Sequence, residues 1–199
     1  MSVSLWLKET VLESRTISLH PLRHDHADAL AEAAADGELW QLWFTSVPRP
    51  ETVGKYIADA LSEQAAGRAL PFIVVHNQTQ KVIGTTRFSN ADVKNQRLEI
   101  GFTWYAQRFQ RTSVNTECKA LMLEHAFEQL QAIAVEFRTH WHNHKSRAAI
   151  TRLGAKQDGV LRNHSKNADG SYRDTVVFSI IDHEWLMVKR SLQHKLSRG

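Results

Sequence analysis

The chain has 199 residues, of which 42% are hydrophobic and 23% charged, with a formal net charge of +4 and a pI of about 9.3. This composition is ordinary for a soluble globular protein, and no apolar run is long enough to span a membrane. The single cysteine, Cys118, excludes an internal disulfide and a multi-cysteine metal site. We therefore expect one domain over residues 1–199 in the reducing cytoplasm, without an export leader.

The first half of the chain predicts strands and helices in alternation. Period-two alternation favours strands, and Ala-rich or amphipathic segments ended by glycine favour helices. In chain order, the predicted elements are a strand Thr16–Leu22, a helix His24–Ala35, an aromatic loop Leu39–Pro50, a helix Glu51–Ala66, and a hairpin of Leu70–His76 and Lys81–Phe88.

The second half continues the alternation and completes a mixed α/β sheet of about seven strands. A helix over Ser113–Leu130 buries a stripe that includes Cys118, which we interpret as core and not as a nucleophile. The other predicted elements are strands Arg97–Tyr105, Ala134–Trp141, Ala155–Arg162 and Thr175–Ile181, helices His144–Leu153 and Asp182–Leu196, and a polar loop Asn163–Arg173.

The most informative segment is Arg97–Asn115, in which an apolar strand ends at a polar turn that opens directly into a helix. A helix start collects free backbone N–H donors and the positive end of the helix dipole, so it can bind a pyrophosphate. Gln110, Arg111 and Thr112 lie where this turn would surround the anion. Taken alone, the pattern fits a simple capped helix equally well, and the turn contains no glycine.

A second segment, Val135–Ala155, has a strand, the residues H-N-H-K-S, a helix and then L-G-A. Together the two segments resemble the core of the GNAT superfamily of acyl-coenzyme A-dependent N-acetyltransferases. Asn143 and Ser146 stand at the family's N-x-x-S positions. The loop Gln110–Asn115 stands at the family's Q/R-x-x-G-x-G/A loop.

Within the superfamily, the chain is most similar to the RimJ/RimL-type branch. The similarity covers about residues 10–190 and includes E-I-G-F-T-W-Y and N-T-E-C-K-A-L-M-L-E-H-A-F-E in the right order. It implies a GNAT-type, mostly antiparallel twisted sheet flanked by helices, with splayed central strands. It also implies acetyl-CoA as co-substrate, no metal, and a primary amine of a peptide or small molecule as acceptor.

The resemblance assigns the cofactor-binding loop to Gln110, Arg111, Thr112, Ser113, Val114 and Asn115. Ser113 and Asn115 depart from the small residues usual in the family, so their side chains could crowd a pyrophosphate. The family's pantetheine arm lies between the splayed strands. It would pair here with the backbone of Phe102, Thr103 and Trp104.

The resemblance also suggests catalytic residues. Glu99 would serve as the base for the attacking amine, and its alternative is a surface carboxylate opposite Arg97. Ser146 would donate a proton to the leaving thiolate, or would simply satisfy a backbone N–H at its helix start. Asn143 would bind the pantetheine arm, or would only cap the helix.

Aromatic residues between the first two helices suggest the acceptor site. Trp40, Trp43 and Phe44 could form a wall that holds an amine, with core packing as the alternative. His140, His142 and His144 could share a face, but nothing nearby completes a metal site.

The sequence also bears on other functions and on partners. A coenzyme A-binding module with little catalysis is the main alternative, because the loop lacks glycine. The scattered basic residues argue against nucleic acid as a partner, and no membrane partner is expected. The amphipathic C-terminal helix is expected to pack on its own domain. Packing on a second copy, in a homodimer, is the alternative.

Overall fold

The computed structural model describes residues 6–167 and 169–198. Its centre is one eight-stranded sheet in the order β1-β2-β3-β4-β5-β6-β8-β7. The strands are β1 Leu12–Glu13, β2 Ile17–Pro21, β3 Leu70–His76, β4 Lys81–Asp92, β5 Arg97–Tyr105, β6 Ala134–His140, β7 Lys156–Lys166 and β8 Tyr172–Ile181.

Five α-helices flank this sheet. They are α1 Ala27–Ala35, α2 Val53–Ala65, α3 Val114–Glu124, α4 His144–Leu153 and α5 Asp182–Leu196. A π-helical turn, His125–Gln129, continues α3 to the end of the predicted helix. No described helix combines the length and the apolar character that a membrane span requires.

The sheet is antiparallel at every strand pair except β5 and β6, which run parallel. A parallel pair needs a crossover connection, and α3 supplies it between these two strands. The predicted fold class, a mostly antiparallel α/β sheet, is therefore confirmed. The predicted number of strands was one too low, because the two-residue β1 is too short to show a period.

Two hydrophobic cores cover the two faces of the sheet. The larger core lies under α3, α4 and α5, and the smaller one under α1 and α2. On α3, the predicted stripe is buried at Val114, Cys118, Met122 and Ala126. The helices α1 and α2 pack on one face of the sheet, over β2 to β4. On the same face, β6 and β8 carry mainly polar side chains.

The predicted polar loop Asn163–Arg173 is wrong. β7 continues to Lys166 and β8 begins at Tyr172, so residues 163–166 and 172–173 are strand residues of a long hairpin, and residue 168 lies outside the described residues. A register shift between Leu161 and Ser165 interrupts the alternation that would have revealed the strand. The turn of this hairpin includes Gly170, which has a φ of +85°.

Candidate active site

The parallel strands β5 and β6 separate after only three residue pairs. The ladder joins Arg97 to Ala134, Leu98 to Val135 and Glu99 to Glu136, and then ends. Beyond this point β5 pairs only with β4, and β6 pairs only with β8. The two strands therefore border a gap that opens toward their carboxyl ends, as the predicted splay requires.

A β-bulge shapes the β5 side of the gap. Thr85 pairs with Trp104 and Arg87 pairs with Gly101, so the single residue Thr86 faces two residues of β5. One of these, Phe102, has a φ of +51° and is 46% exposed. A bulge bends its strand and interrupts regular pairing, which accounts for the departure of β5 from β6.

A buried lysine holds this bulge from the side of α3. The Nζ of Lys119 donates to Oγ1 of Thr86 at 3.1 Å and to Oγ1 of Thr103 at 2.5 Å. The two threonine hydroxyls are also 2.7 Å apart and share a hydrogen bond. Burial lowers the pKa of Lys119 to about 8, because a charged amine is poorly solvated there. Lys119 thus connects the helix that follows the polar turn to the bulge.

The polar turn before α3 is organised by its own side chains. The hydroxyl of Thr112 donates to the Phe109 carbonyl at 2.7 Å, and the Gln110 amide donates to the Tyr105 carbonyl at 3.0 Å. Arg111 is exposed and has a φ of +62°, in the region that usually requires glycine. This turn therefore reaches a tight backbone conformation although it contains no glycine.

The two side chains expected to crowd a pyrophosphate are both hydrogen-bonded to other side chains. Ser113 Oγ donates to Glu117 at 2.8 Å, and Asn115 Oδ1 accepts from the Tyr105 hydroxyl at 3.3 Å. The N–H groups of a first helical turn have no partner within the helix. The Val114 side chain is buried in the larger core, and the Val114 backbone N–H already donates to Thr112 Oγ1 at 3.3 Å.

Glu99 lies at the closed end of the gap, in the last pair of the ladder. It is 8% exposed, accepts a hydrogen bond from Asn90 at 2.8 Å, and lies 3.6 Å from Arg138. Burial raises the pKa of Glu99, against the opposing effects of Asn90 and Arg138. Arg97 pairs with Glu136 instead, so the alternative of a surface carboxylate opposite Arg97 is not what the structure shows.

Asn143 and Ser146 lie at the start of α4, which follows the open end of β6. Asn143 Oδ1 accepts the Ser146 backbone N–H at 3.0 Å and so caps the helix. Neither the Asn143 Nδ2 group nor the Ser146 hydroxyl is hydrogen-bonded to another residue of the described chain. Both groups therefore keep a donor that a ligand could use.

The aromatic loop divides between the core and the surface. Trp40 packs against the smaller core, whereas Trp43 is 66% exposed. The Trp43 ring centroid is 5.0 Å from that of His140 and 5.7 Å from that of His142. Phe44 lies 5.5 Å from Trp43. The loop thus contacts the end of β6 through Trp43 and Phe44, and not through Trp40.

Three polar residues near the gap, Arg87, Lys119 and Arg173, escaped the sequence analysis, and a fourth, His140, was considered there only as part of a histidine face. Arg87 and Lys119 are buried, and both carry a charge inside otherwise apolar segments, which is a signal that the sequence does contain. The other two, His140 and Arg173, carry no comparable signal, because their importance depends on strand pairing. Within residues 6–167 and 169–198, no three metal-ligating side chains form a group that could hold an ion.

Comparisons with known proteins agree with this geometry. Residues 16–156 match the family model of the acetyltransferase (GNAT) domain. The chain is 26% identical over 181 residues to the uncharacterized N-acetyltransferase p20 of Bacillus licheniformis, covering 89% of this chain and 98% of that protein. The crystal structure of a GCN5-related N-acetyltransferase from Brucella melitensis is 27% identical, with a TM-score of 0.83, and the match covers 94% of this chain and 86% of that one.

A more distant solved structure shares the fold. The RimJ protein of Mycobacterium smegmatis, solved in complex with a CoA disulfide, is 21% identical. The match covers 94% of this chain and 93% of that chain, with a TM-score of 0.76.

Proposed function

Because the chain belongs to the GNAT acetyltransferase family, we propose that it transfers an acetyl group from acetyl-CoA to the primary amine of a peptide or small molecule. The observation that carries this proposal is the gap between β5 and β6, bordered by the bulge at Phe102 and followed by the polar start of α3. We assign the activity to the cytoplasm on the sequence grounds given above.

The residues around the gap fit coenzyme A. The first turn of α3 would bind the pyrophosphate through backbone N–H groups, with Arg111 at the exposed side. The Ser113 and Asn115 side chains are hydrogen-bonded to Glu117 and Tyr105, which supports a turn whose backbone N–H groups can reach a phosphate. The backbone of Phe102, Thr103 and Trp104 would pair with the pantetheine arm in the manner of an added strand. The RimJ protein of Mycobacterium smegmatis was solved in complex with a CoA disulfide, and coenzyme A is the group proposed to bind here.

Acetyl-CoA supplies the activated carbonyl of a thioester. The chain's own residues would supply the base, the donor to the carbonyl and the donor to the departing sulfur. Glu99 would accept a proton from the incoming ammonium group, since only a neutral amine can attack. Its raised pKa makes it a stronger base than an exposed glutamate. A backbone N–H at Phe102 or Thr103 would polarise the carbonyl, and the Ser146 hydroxyl would donate to the departing sulfur.

The competing proposal is a coenzyme A-binding module without catalysis. It is motivated by side chains in the glycine-free turn, and two of these, Ser113 and Asn115, are engaged by Glu117 and Tyr105. A buried carboxylate with a raised pKa at the closed end of the gap is the kind of group that a catalytic base requires. The structure therefore favours the enzyme over the module.

We expect acetyl-CoA to raise the melting temperature and to release free thiol when an accepted amine is added. A ligand at 100 times its dissociation constant stabilises a fold by roughly 2.7 kcal/mol. The measurement is differential scanning fluorimetry, followed by thiol release across a panel of peptides and small amines. No stabilisation at millimolar acetyl-CoA would contradict the proposal. Stabilisation without thiol release from any amine would favour the binding module.

The Asn115→Glu variant serves as the control for the binding site in this assay. A carboxylate at the first turn of α3 would repel the phosphates, so we expect coenzyme A affinity to fall by about tenfold or more, roughly 1.4 kcal/mol. Asn115→Gln has the same size without the charge, and it should bind nearly as well as the wild type. Equal affinities in the two variants would show that the pyrophosphate lies elsewhere.

Asn143 allows the capping role and the binding role to be separated. Asn143→Ala should lose about 1 kcal/mol of stability, because the α4 cap is lost. Asn143→Asp keeps an oxygen for the Ser146 N–H but loses the Nδ2 donor. We therefore expect Asn143→Asp to melt like the wild type and yet bind coenzyme A more weakly. If both variants bind as the wild type does, Asn143 is only a helix cap.

A further inference from the structure

One face of the sheet beside the gap is lined by polar side chains. We call it the acceptor face, meaning the face of β4, β5, β6 and β8 turned away from α3, α4 and α5. Side chains alternate between the two faces of a strand, and the opposite face carries the larger core. The residues of the acceptor face used below are Arg87, Ser89, Glu99, Glu136, Arg138, His140 and Arg173.

Buried polar atoms without a hydrogen-bond partner are concentrated at this face. Six side chains among the described residues have such an atom, and one of them, Gln64, lies on α2 away from the gap. The other five come from the strands at the gap and from its neighbour β8. They are Arg87 Nε, Ser89 Oγ, Trp104 Nε1, His140 Nε2 and Arg173 Nε. Buried polar groups are nearly always paired in folded proteins, so this concentration calls for an explanation.

Arg87 is the clearest case. It is 4% exposed, and its guanidinium lies 3.9 Å from the ring centroid of Phe102 and 5.1 Å from that of Tyr56. Its Nε has no hydrogen-bond partner, and its guanidinium makes no ion pair with any residue in the described part of the chain. The hydrogen bond with Arg68, at 2.8 Å, is the main cause that lowers the pKa of Glu63, and the charge of Arg87 adds only the smallest effect, so Glu63 is already held by Arg68. A buried cation without an anion is costly for a fold to maintain.

His140 and Arg173 present two more unpartnered donors. His140 is 4% exposed, and its Nδ1 accepts the backbone N–H of His142 at 3.0 Å. An Nδ1 that accepts must be unprotonated, so Nε2 carries the hydrogen and has no acceptor. The guanidinium of Arg173 likewise makes no ion pair or hydrogen bond within residues 6–167 and 169–198. Four of the five unpartnered atoms are thus N–H donors that lack an acceptor.

The carboxylates of the acceptor face are already engaged. Glu99 accepts from Asn90 and meets Arg138, while Glu136 pairs with both Arg97 and Arg138. Arg173 is within range of the charge of Glu99, but that carboxylate also meets Arg138, so Arg87 and Arg173 remain in excess over the acidic groups around them. The anion that would balance them is not provided by the described chain.

We propose that the acceptor substrate carries a carboxylate close to its reacting amine, and that Arg87 and Arg173 bind this carboxylate. The inference rests on the proposed acetyl transfer and adds a substrate class to it. A guanidinium is well suited to a carboxylate, because its planar N–H groups match the two oxygens. The His140 Nε2–H supplies a further donor, and Glu99 receives the ammonium group. The carboxylate belongs either to an acidic residue near a peptide N-terminus or to a free amino acid.

Matched acceptors test the proposal directly. One pair is a short peptide with Asp or Asn at its second position, and the other is a free amino acid against its amide. We expect kcat/KM for thiol release to be about tenfold or more higher with the carboxylate member of the preferred pair. Which pair shows the preference identifies the source of the carboxylate. Binding of the same acceptors to the coenzyme A-loaded protein is measured in parallel by calorimetry.

Variants link the preference to the two arginines. Arg87→Gln and Arg173→Gln should bring the acid-to-amide ratio close to one, whereas Arg162→Gln, on exposed β7, should leave it unchanged. If Arg87→Gln and Arg173→Gln lower the melting temperature but leave the acid-to-amide ratio unchanged, the two arginines are merely structural. That result would overturn the proposal. Equal turnover of acid and amide by the wild type would also overturn it and leave acetyl transfer intact. If no acceptor is turned over, tighter binding of the acidic member supports the carboxylate site, and equal binding refutes it.

Discussion

In the Glu99→Gln variant, we expect kcat for acetyl transfer to fall by about 100-fold or more, within the range of general-base catalysis. The substitution preserves the size of the side chain and an oxygen for the Asn90 amide, but it removes the proton acceptor. Coenzyme A affinity should not change, because the predicted cofactor contacts lie on other residues. Steady-state thiol release, with the cofactor dissociation constant measured separately, provides the test.

The pH dependence gives this prediction a second readout. A base must be deprotonated to act, so wild-type activity should rise with pH through the pKa of Glu99. Burial raises that pKa, so this acidic limb should lie at higher pH than an ordinary glutamate would give. In Glu99→Gln the limb should disappear, and the remaining rate should follow the fraction of free amine in the substrate.

The matched control is Glu136→Gln. Glu136 lies directly opposite Glu99 in the ladder, but its carboxylate is paired with Arg97 and Arg138. Loss of this ion pair should change the stability of the protein only modestly, and we therefore expect kcat to change only a few-fold. A similar loss of rate in the two variants would mean that charge near the gap matters and that Glu99 is not the base.

Much of the fold could be predicted from local sequence patterns. The bounds of β3, β5, α4 and α5 agree with the predictions, because each has a clear period and a defined end. Gly154, for example, ends α4 with a φ of +107°, as a helix C-terminus favours. The family resemblance, based on separated motifs in the right order, is confirmed by the match over residues 16–156.

The details of the site depend on contacts between distant segments, which a sequence pattern does not contain. The bulge at Phe102 follows from the register between β4 and β5, and not from the residues of β5 alone. Trp40 and Trp43 are three residues apart, yet one packs in the core and the other reaches β6. The roles assigned to Glu99, Ser146 and the cofactor loop stay predictions, since each depends on a ligand and not on the fold.

The contacts that stabilise Lys119 also come from segments that are distant in the sequence. Its position on α3 is three residues from Met122, on the buried side of the helix, where a lysine is rarely found. Only the meeting of Thr86 from β4 with Thr103 from β5 gives its amine two acceptors. Burial of the amine thus costs stability, while its two hydrogen bonds fix the bulge. The cost of this arrangement should be measurable as a dependence of stability on pH.

We expect the free energy of unfolding of the wild type to rise, relative to Lys119→Met, as the pH increases from about 8 toward 10.5. In this range the unfolded chain binds a proton at Lys119 that the folded chain has released, so higher pH favours the folded state. The full slope is about 1.4 kcal/mol per pH unit, but at pH 8 about half of the folded molecules still bind the proton, so the relative gain between pH 8 and pH 9.5 should be about 1.5 kcal/mol. Urea unfolding of both proteins across this range measures it, with Lys94→Met, at an exposed turn, as the control. A stability difference that stays constant with pH would show that the amine remains charged in the folded protein, and that burial does not lower its affinity for the proton.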